Sequence, residues 1–128
     1  MFITLYFPSA SQSLIDWHNQ YFSTLGPVPS MERMIEIAAH VDVRDDLARI
    51  EAPTLVCHAL QDGNAPVAVG RDVADRINNS RFVELDSANH ILLGDEPAWP
   101  AFTREFRAFL DETPEAAATA VSIIHVKA

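Results

Sequence analysis

Two short apolar runs with a helical segment between them form the clearest hydrophobic pattern in the chain. The first is Thr54-Leu55-Val56-Cys57-His58-Ala59-Leu60, bounded by Pro53 before it and Asp62-Gly63 after it. A short apolar run between such breakers predicts a buried strand of a parallel sheet. Pro53 fits its first position because proline has no N–H to donate to the ladder. Val69, Val73 and Ile77 then recur every four residues, predicting a helix that covers one sheet face and closes at Asn78-Asn79-Ser80. Phe82-Val83-Glu84-Leu85 is the second run, so strand, helix and strand make one βαβ crossover, expected to be right-handed. Ala98, Phe102, Phe106, Phe109 and Leu110 give the apolar stripe of a final helix. Gly94-Asp95-Glu96-Pro97 precedes it, with acidic residues placed favourably for the helix dipole.

Upstream, the pattern is helical but less definite. Met1 to Phe7 is too short a run to separate strand from helix end. From Ser11, residues Leu14, Trp17 and Tyr21 share a face, and Ser13 with Asp16 has the spacing of a capping box. Gly26-Pro27-Val28-Pro29 breaks that helix, and Ser30 is the expected N-cap of a second, with Met31, Met34, Ile35 and Ala38 as its stripe. Trp17, Tyr21, Met31 and Met34 read as core packing, with the wall of a substrate pocket as the alternative. Val41 to Ile50 is charged and turn-like, with Val43, Leu47 and Ile50 pointing one way. The expected organisation is therefore packing helices over 1–50, a βαβα unit over 51–111, and a linker with an edge strand over 112–128. Residues 121–126 have strand composition, which allows a third strand at the carboxyl end against the sheet edge.

Composition narrows the function classes. The 128 residues are 48% apolar, enough for one small globular domain. A net charge of −9 opposes any large phosphate-binding surface, so nucleic acid is not an expected partner. The single cysteine, Cys57, lies inside a strand run and reads as a small buried hydrophobe. It leaves no intramolecular disulfide to form. The apolar start has no basic region and is cut short by Pro8, so no membrane span is expected and the protein reads as cytoplasmic. His18 and His40 have no Cys, Asp or His three or four positions on, so no metal site and no cofactor are expected.

The chemistry concentrates at two positions. The first strand delivers Asp62 to its carboxyl end, and the second delivers His90 just past its own, at the edge where reacting groups gather in open α/β sheets. A neutral imidazole serves as general base when a carboxylate accepts its second N–H, fixing the tautomer and stabilising the imidazolium that forms. Asp62 would be the orienter and His90 the base. Read singly, Asp62-Gly63 is also an ordinary turn and His90 an ordinary loop histidine. Two strands alone would also suit another parallel α/β fold, such as a flavodoxin-like regulator.

Pro53-Thr54-Leu55-Val56-Cys57-His58-Ala59-Leu60-Gln61-Asp62-Gly63-Asn64-Ala65-Pro66 resembles the seventh strand and acid loop of the α/β-hydrolase fold. Ser87-Ala88-Asn89-His90 resembles its histidine loop, and Glu96-Pro97-Ala98-Trp99 with the Phe-rich helix resembles its last helix. Residues 1 to 50 are similar to the end of a lid segment. The likeness covers about residues 11 to 111, with two departures: Ala59 stands where the family often has Gly, and Asn89 where Gly usually precedes the histidine. It implies a partial α/β-hydrolase fold with Asp62 and His90 as triad acid and base, in the family's chain order of Ser, acid, His.

No Gly-x-Ser-x-Gly elbow occurs in the 128 residues, and Ser9, Ser11, Ser13, Ser23, Ser30, Ser80, Ser87 and Ser122 read as caps, turns or surface positions. The resemblance therefore implies the carboxyl-terminal half of an esterase-like serine hydrolase acting on small esters, inactive by itself. The alternative is a non-catalytic interaction or regulatory module, because similar-looking hydrolase domains are appended to regulators and nucleotide cyclases. Either version implies a partner, a second copy or a complementing amino-terminal half.

Overall fold

The computed structural model describes residues 3–24 and 28–113. In chain order the elements are α1 (Ile3–Tyr6), α2 (Gln12–Thr24), α3 (Val28–Ala38), α4 (Arg44–Leu47), β1 (Thr54–Ala59), α5 (Val67–Arg76), β2 (Ser80–Leu85) and α6 (Trp99–Glu112). This is a mixed α/β arrangement built on a two-stranded parallel sheet. Its register runs from Thr54 opposite Ser80 to Ala59 opposite Leu85, so both strands finish at the same edge. β1 starts one residue past Pro53, where the Thr54 N–H donates to the Asn79 carbonyl at 2.8 Å. β2 starts two residues before the apolar run. There the Ser80 hydroxyl donates to the Ala74 carbonyl at 2.6 Å and brings the chain straight out of α5 into the sheet.

Successive strand side chains point to opposite faces, and each face receives a helix. Val56 packs on the α5 side against a cluster of buried Leu47, Val73 and Ile77, with Ile50 alongside. The stretch expected to be turn-like thus contributes one helical turn, α4, whose Leu47 seals the base of α5. Burying such aliphatic side chains contributes about 1.5–3 kcal/mol each. Gly70 of α5 lies so close to β1 that a Cβ there would stand 2.5 Å from His58 Nδ1. On the other face, the Arg81 guanidinium of β2 lies 5.7 Å from the Phe109 ring and donates to Glu112 Oε2 and the Glu105 carbonyl, both at 3.0 Å. Those contacts fasten α6, whose stripe residues Phe102 and Phe106 stack at 5.8 Å and are half-buried.

The amino-terminal segments resolve one open sequence expectation and overturn others. The opening run is helical, and its end docks on the far loop of the sheet: the Tyr6 carbonyl accepts the His90 N–H at 2.9 Å. Phe7 is buried and rests against the His18 ring, 4.7 Å between centroids. Ser11, not Ser13, caps α2, its hydroxyl accepting the Leu14 N–H at 3.3 Å. α3 begins at Val28, so Ser30 lies inside the helix and is not its cap.

The apolar stripe is not core either. Trp17 is 57% exposed, Tyr21 stacks on it at 5.4 Å, and Met34 is also exposed. Among the described residues no element covers that face of α2. The Met31 side chain, the break at 25–27 and the strand expected at 121–126 lie outside the described residues. No described helix is long and apolar enough to cross a membrane.

Candidate functional site

The acid loop begins where β1 runs out. The Leu60 N–H still donates to the Leu85 carbonyl at 2.9 Å and the Gln61 N–H to the Ser87 carbonyl at 3.0 Å, so the pairing continues past the last strand residues. At Asp62 the chain turns away. Its Oδ1 accepts the N–H groups of Asn64 at 2.8 Å and Ala65 at 3.1 Å, a side-chain-closed turn that Asp-Gly favours. The turn leaves Oδ2 facing the neighbouring loop.

His90 arrives there from the end of β2. Its Nδ1 lies 2.6 Å from Asp62 Oδ2, with side-chain exposures of 7% and 2%. Burial pushes the Asp62 carboxyl up, but the bond from His90 and the two loop amides outweigh it and hold the group below its ordinary value. A carboxylate only accepts, so Nδ1 carries the proton. The Asn64 side-chain amide nitrogen, a donor, faces Nε2 of the same ring at 3.2 Å. That pairing leaves Nε2 as the acceptor nitrogen, the tautomer required of a general base. The Tyr6 ring meets the imidazole edge-on at 5.0 Å.

The loop carrying His90 is held by a buried polar cluster. Asn89 is completely buried: its Oδ1 accepts the Ser9 N–H at 3.1 Å and its amide donates to Glu96 Oε2 at 3.2 Å. The Ser87 hydroxyl donates to the same Glu96 oxygen at 2.5 Å and accepts the Asn89 N–H at 2.9 Å. Glu96 Oε1 takes the Leu93 N–H at 2.5 Å. Glu96 therefore serves the histidine loop, where the sequence suggested a charge at the start of α6. That helix has Ala98 at its N-cap and no side-chain cap bond.

A second histidine approaches the acid. His58, on β1, donates from Nε2 to the Ala65 carbonyl at 2.9 Å, and the same nitrogen is 3.5 Å from Asp62 Oδ2. Nothing in the sequence singled it out, because a histidine inside an apolar run looks like strand filler. Among the described residues, no group of three or more His, Cys, Asp or Glu side chains is placed to hold a metal ion. A cavity of about 330 Å³ lies behind the histidine loop, lined by Ser9, Ser11, Leu14, Asn89, Asp95 and Glu96, and it does not include Asp62 or His90.

The structure thus brings together Asp62 and His90, the two residues the sequence pointed to. His58, Asn64 and Glu96 are additions. The lone histidines stay apart from the pair: His18 Nδ1 is 3.1 Å from the Leu14 carbonyl, and His40 Nδ1 is 2.7 Å from the Glu36 carbonyl. Compared with known proteins, the chain matches no family model, no curated protein and no solved structure.

Proposed function

We propose that Asp62 and His90 are the acid and base of an esterase-like serine hydrolase of the α/β-hydrolase type, whose nucleophile comes from outside these 128 residues. The observation that carries this reading is the 2.6 Å contact between His90 Nδ1 and Asp62 Oδ2 at the carboxyl edge of a parallel strand pair. In such a site the nucleophilic hydroxyl gives its proton to His90 Nε2, and Asp62 stabilises the imidazolium. The hydroxyl oxygen bonds to the carbonyl carbon of a small ester, and the ester C–O bond breaks as His90 returns the proton to the leaving alkoxide. Water deprotonated by the same imidazole then releases the acyl group. The partner is a complementing segment that bears a Gly-x-Ser-x-Gly elbow and the oxyanion-hole donors. A cytoplasmic location belongs to the same proposal, resting on the lone Cys57.

The isolated chain is then expected to show no acyl-enzyme burst with an activated short-chain ester and no labelling by a fluorophosphonate. In the longer product encoded with adjoining sequence, a labelled serine and ester hydrolysis should be present. Hydrolysis there should fall by about two to four orders of magnitude in His90→Ala. Burst and labelling on the isolated chain would overturn the assignment of an external nucleophile, and adjoining sequence without an elbow would overturn the hydrolase reading.

A second reading, a non-catalytic interaction module, is favoured by the exposed Trp17 and Tyr21 stack on α2. It requires that His90→Ala leave partner binding unchanged while Trp17→Ser weakens it.

A further inference from the structure

We propose that His58 is a positioning residue for this site, locking the acid loop so that Asp62 presents Oδ2 to His90; the inference rests on the acid–base reading of that pair. Three observations converge on His58. Its Nε2 donates to the Ala65 carbonyl at 2.9 Å, and a carbonyl only accepts, so the proton sits on that nitrogen. Ala65 is also the residue whose N–H bonds Asp62 Oδ1, at 3.1 Å. One peptide segment is therefore gripped from both sides, its N–H by the carboxylate and its carbonyl by the imidazole. The same Nε2–H lies 3.5 Å from Asp62 Oδ2, adding a favourable dipole on the oxygen that His90 uses.

The third observation is the space made for the ring. Gly70 is buried inside α5, and a Cβ there would fall 2.5 Å from His58 Nδ1 and 2.9 Å from Cγ. Glycine within a helix weakens it relative to alanine, so its use here goes with the close approach of α5 to the imidazole. Ala65, completely buried, closes the far side. The ring is thus walled in between α5 and the acid loop, with one donor aimed at one acceptor. A side chain that merely filled space would need no directed bond.

The two roles are separated by readouts on the full 128-residue chain. In the wild type, the proton on His90 Nδ1 should give a low-field NMR resonance that vanishes in Asp62→Asn. Absence of that resonance would sink the acid–base reading itself, independently of His58. His58→Phe keeps a ring but removes the donor. Amide hydrogen exchange at Asn64 and Ala65 should then rise about tenfold, the equivalent of one hydrogen bond, and the low-field resonance should weaken. His58→Gln, which restores a donor, should recover part of both signals. Gly70→Ala, by displacing the ring, should reproduce the His58→Phe effect. In a His58→Ala background, where the ring is gone, Gly70→Ala should change neither signal further. Unchanged exchange and an unchanged resonance in either His58→Phe or Gly70→Ala would overturn the positioning role while leaving the Asp62–His90 pair intact.

Discussion

Asn89, completely buried beside His90, ties the amino-terminal segment to the histidine loop by accepting the Ser9 N–H at 3.1 Å and donating to Glu96 at 3.2 Å. Its side chain has structural duties at both ends. Asn89→Gly should strand the Ser9 N–H and one carboxylate contact. The expected loss is about 1–3 kcal/mol, the cost of leaving buried polar groups unmet. Urea unfolding of the two proteins side by side checks it, and a neutral substitution would mean that water replaces the amide at no cost.

Glu96 collects three donors, from Ser87, Asn89 and Leu93. Glu96→Gln keeps the shape but turns one acceptor into a donor facing donors. The stability cost should be about 1.5–3 kcal/mol, the range for bonds to a charged group. The loss should be accompanied by faster amide exchange at Leu93, while exchange in β1 stays as in the wild type.

The residues that were legible from sequence and those that were not differ in how far their partners lie along the chain. Asp62 and His90 could be placed because each sits just beyond a strand, and parallel strands necessarily end at one edge. Asn89, Glu96 and His58 could not, since their roles depend on which backbone groups a loop leaves unpaired, and hydrophobic period does not encode that. Ser11 displaced Ser13 as cap because the helix starts at Gln12, ahead of the residue that the capping-box spacing marked. Trp17 and Tyr21 follow the helical period faithfully and still end outside the core. Periodicity says that an apolar face needs covering, and it does not say by what.

Acid should act on the site through Asp62. Its carboxyl is held below its ordinary value, so the folded state binds that proton more weakly than the unfolded chain does. The resulting stabilisation is fully present above the ordinary aspartate range of about 3.9 and is lost as pH falls through and below it. Unfolding measured from pH 6 down to pH 2 should show a steeper loss in the wild type than in Asp62→Asn, which cannot titrate there. Parallel curves would mean that the pairing with His90 contributes no linkage.

Cys57 gives a chemical check on the sheet. Burial pushes its thiol up to about 11 from an ordinary value of 9.0, so at pH 8 far less thiolate is present than in the unfolded chain. Alkylation by a maleimide should be about 100-fold slower in the folded protein than in urea, because the thiolate is the reacting species. A rate close to that in urea would show that β1 opens on the timescale of the reaction.

The sheet itself predicts association. Among the described residues it has two strands, and two parallel strands with unpaired outer edges are marginal in water. The helices on its faces do not remove that exposure. The described residues of α6 are at most half-buried, and Trp17, Tyr21, Met34 and Ile37 lie open on α2 and α3. An exposed apolar surface of this kind on a chain with a strand edge to offer is normally covered by another polypeptide. Light scattering on purified protein should therefore return a mass of at least twice 14.2 kDa. Ile37→Glu together with Trp17→Glu should shift the distribution toward the monomer if α2 and α3 form the contact, and leave it unchanged if the sheet edge does. A wild-type monomer that unfolds cooperatively at the lowest measurable concentration would show that α5 and α6 alone suffice to hold the strand pair.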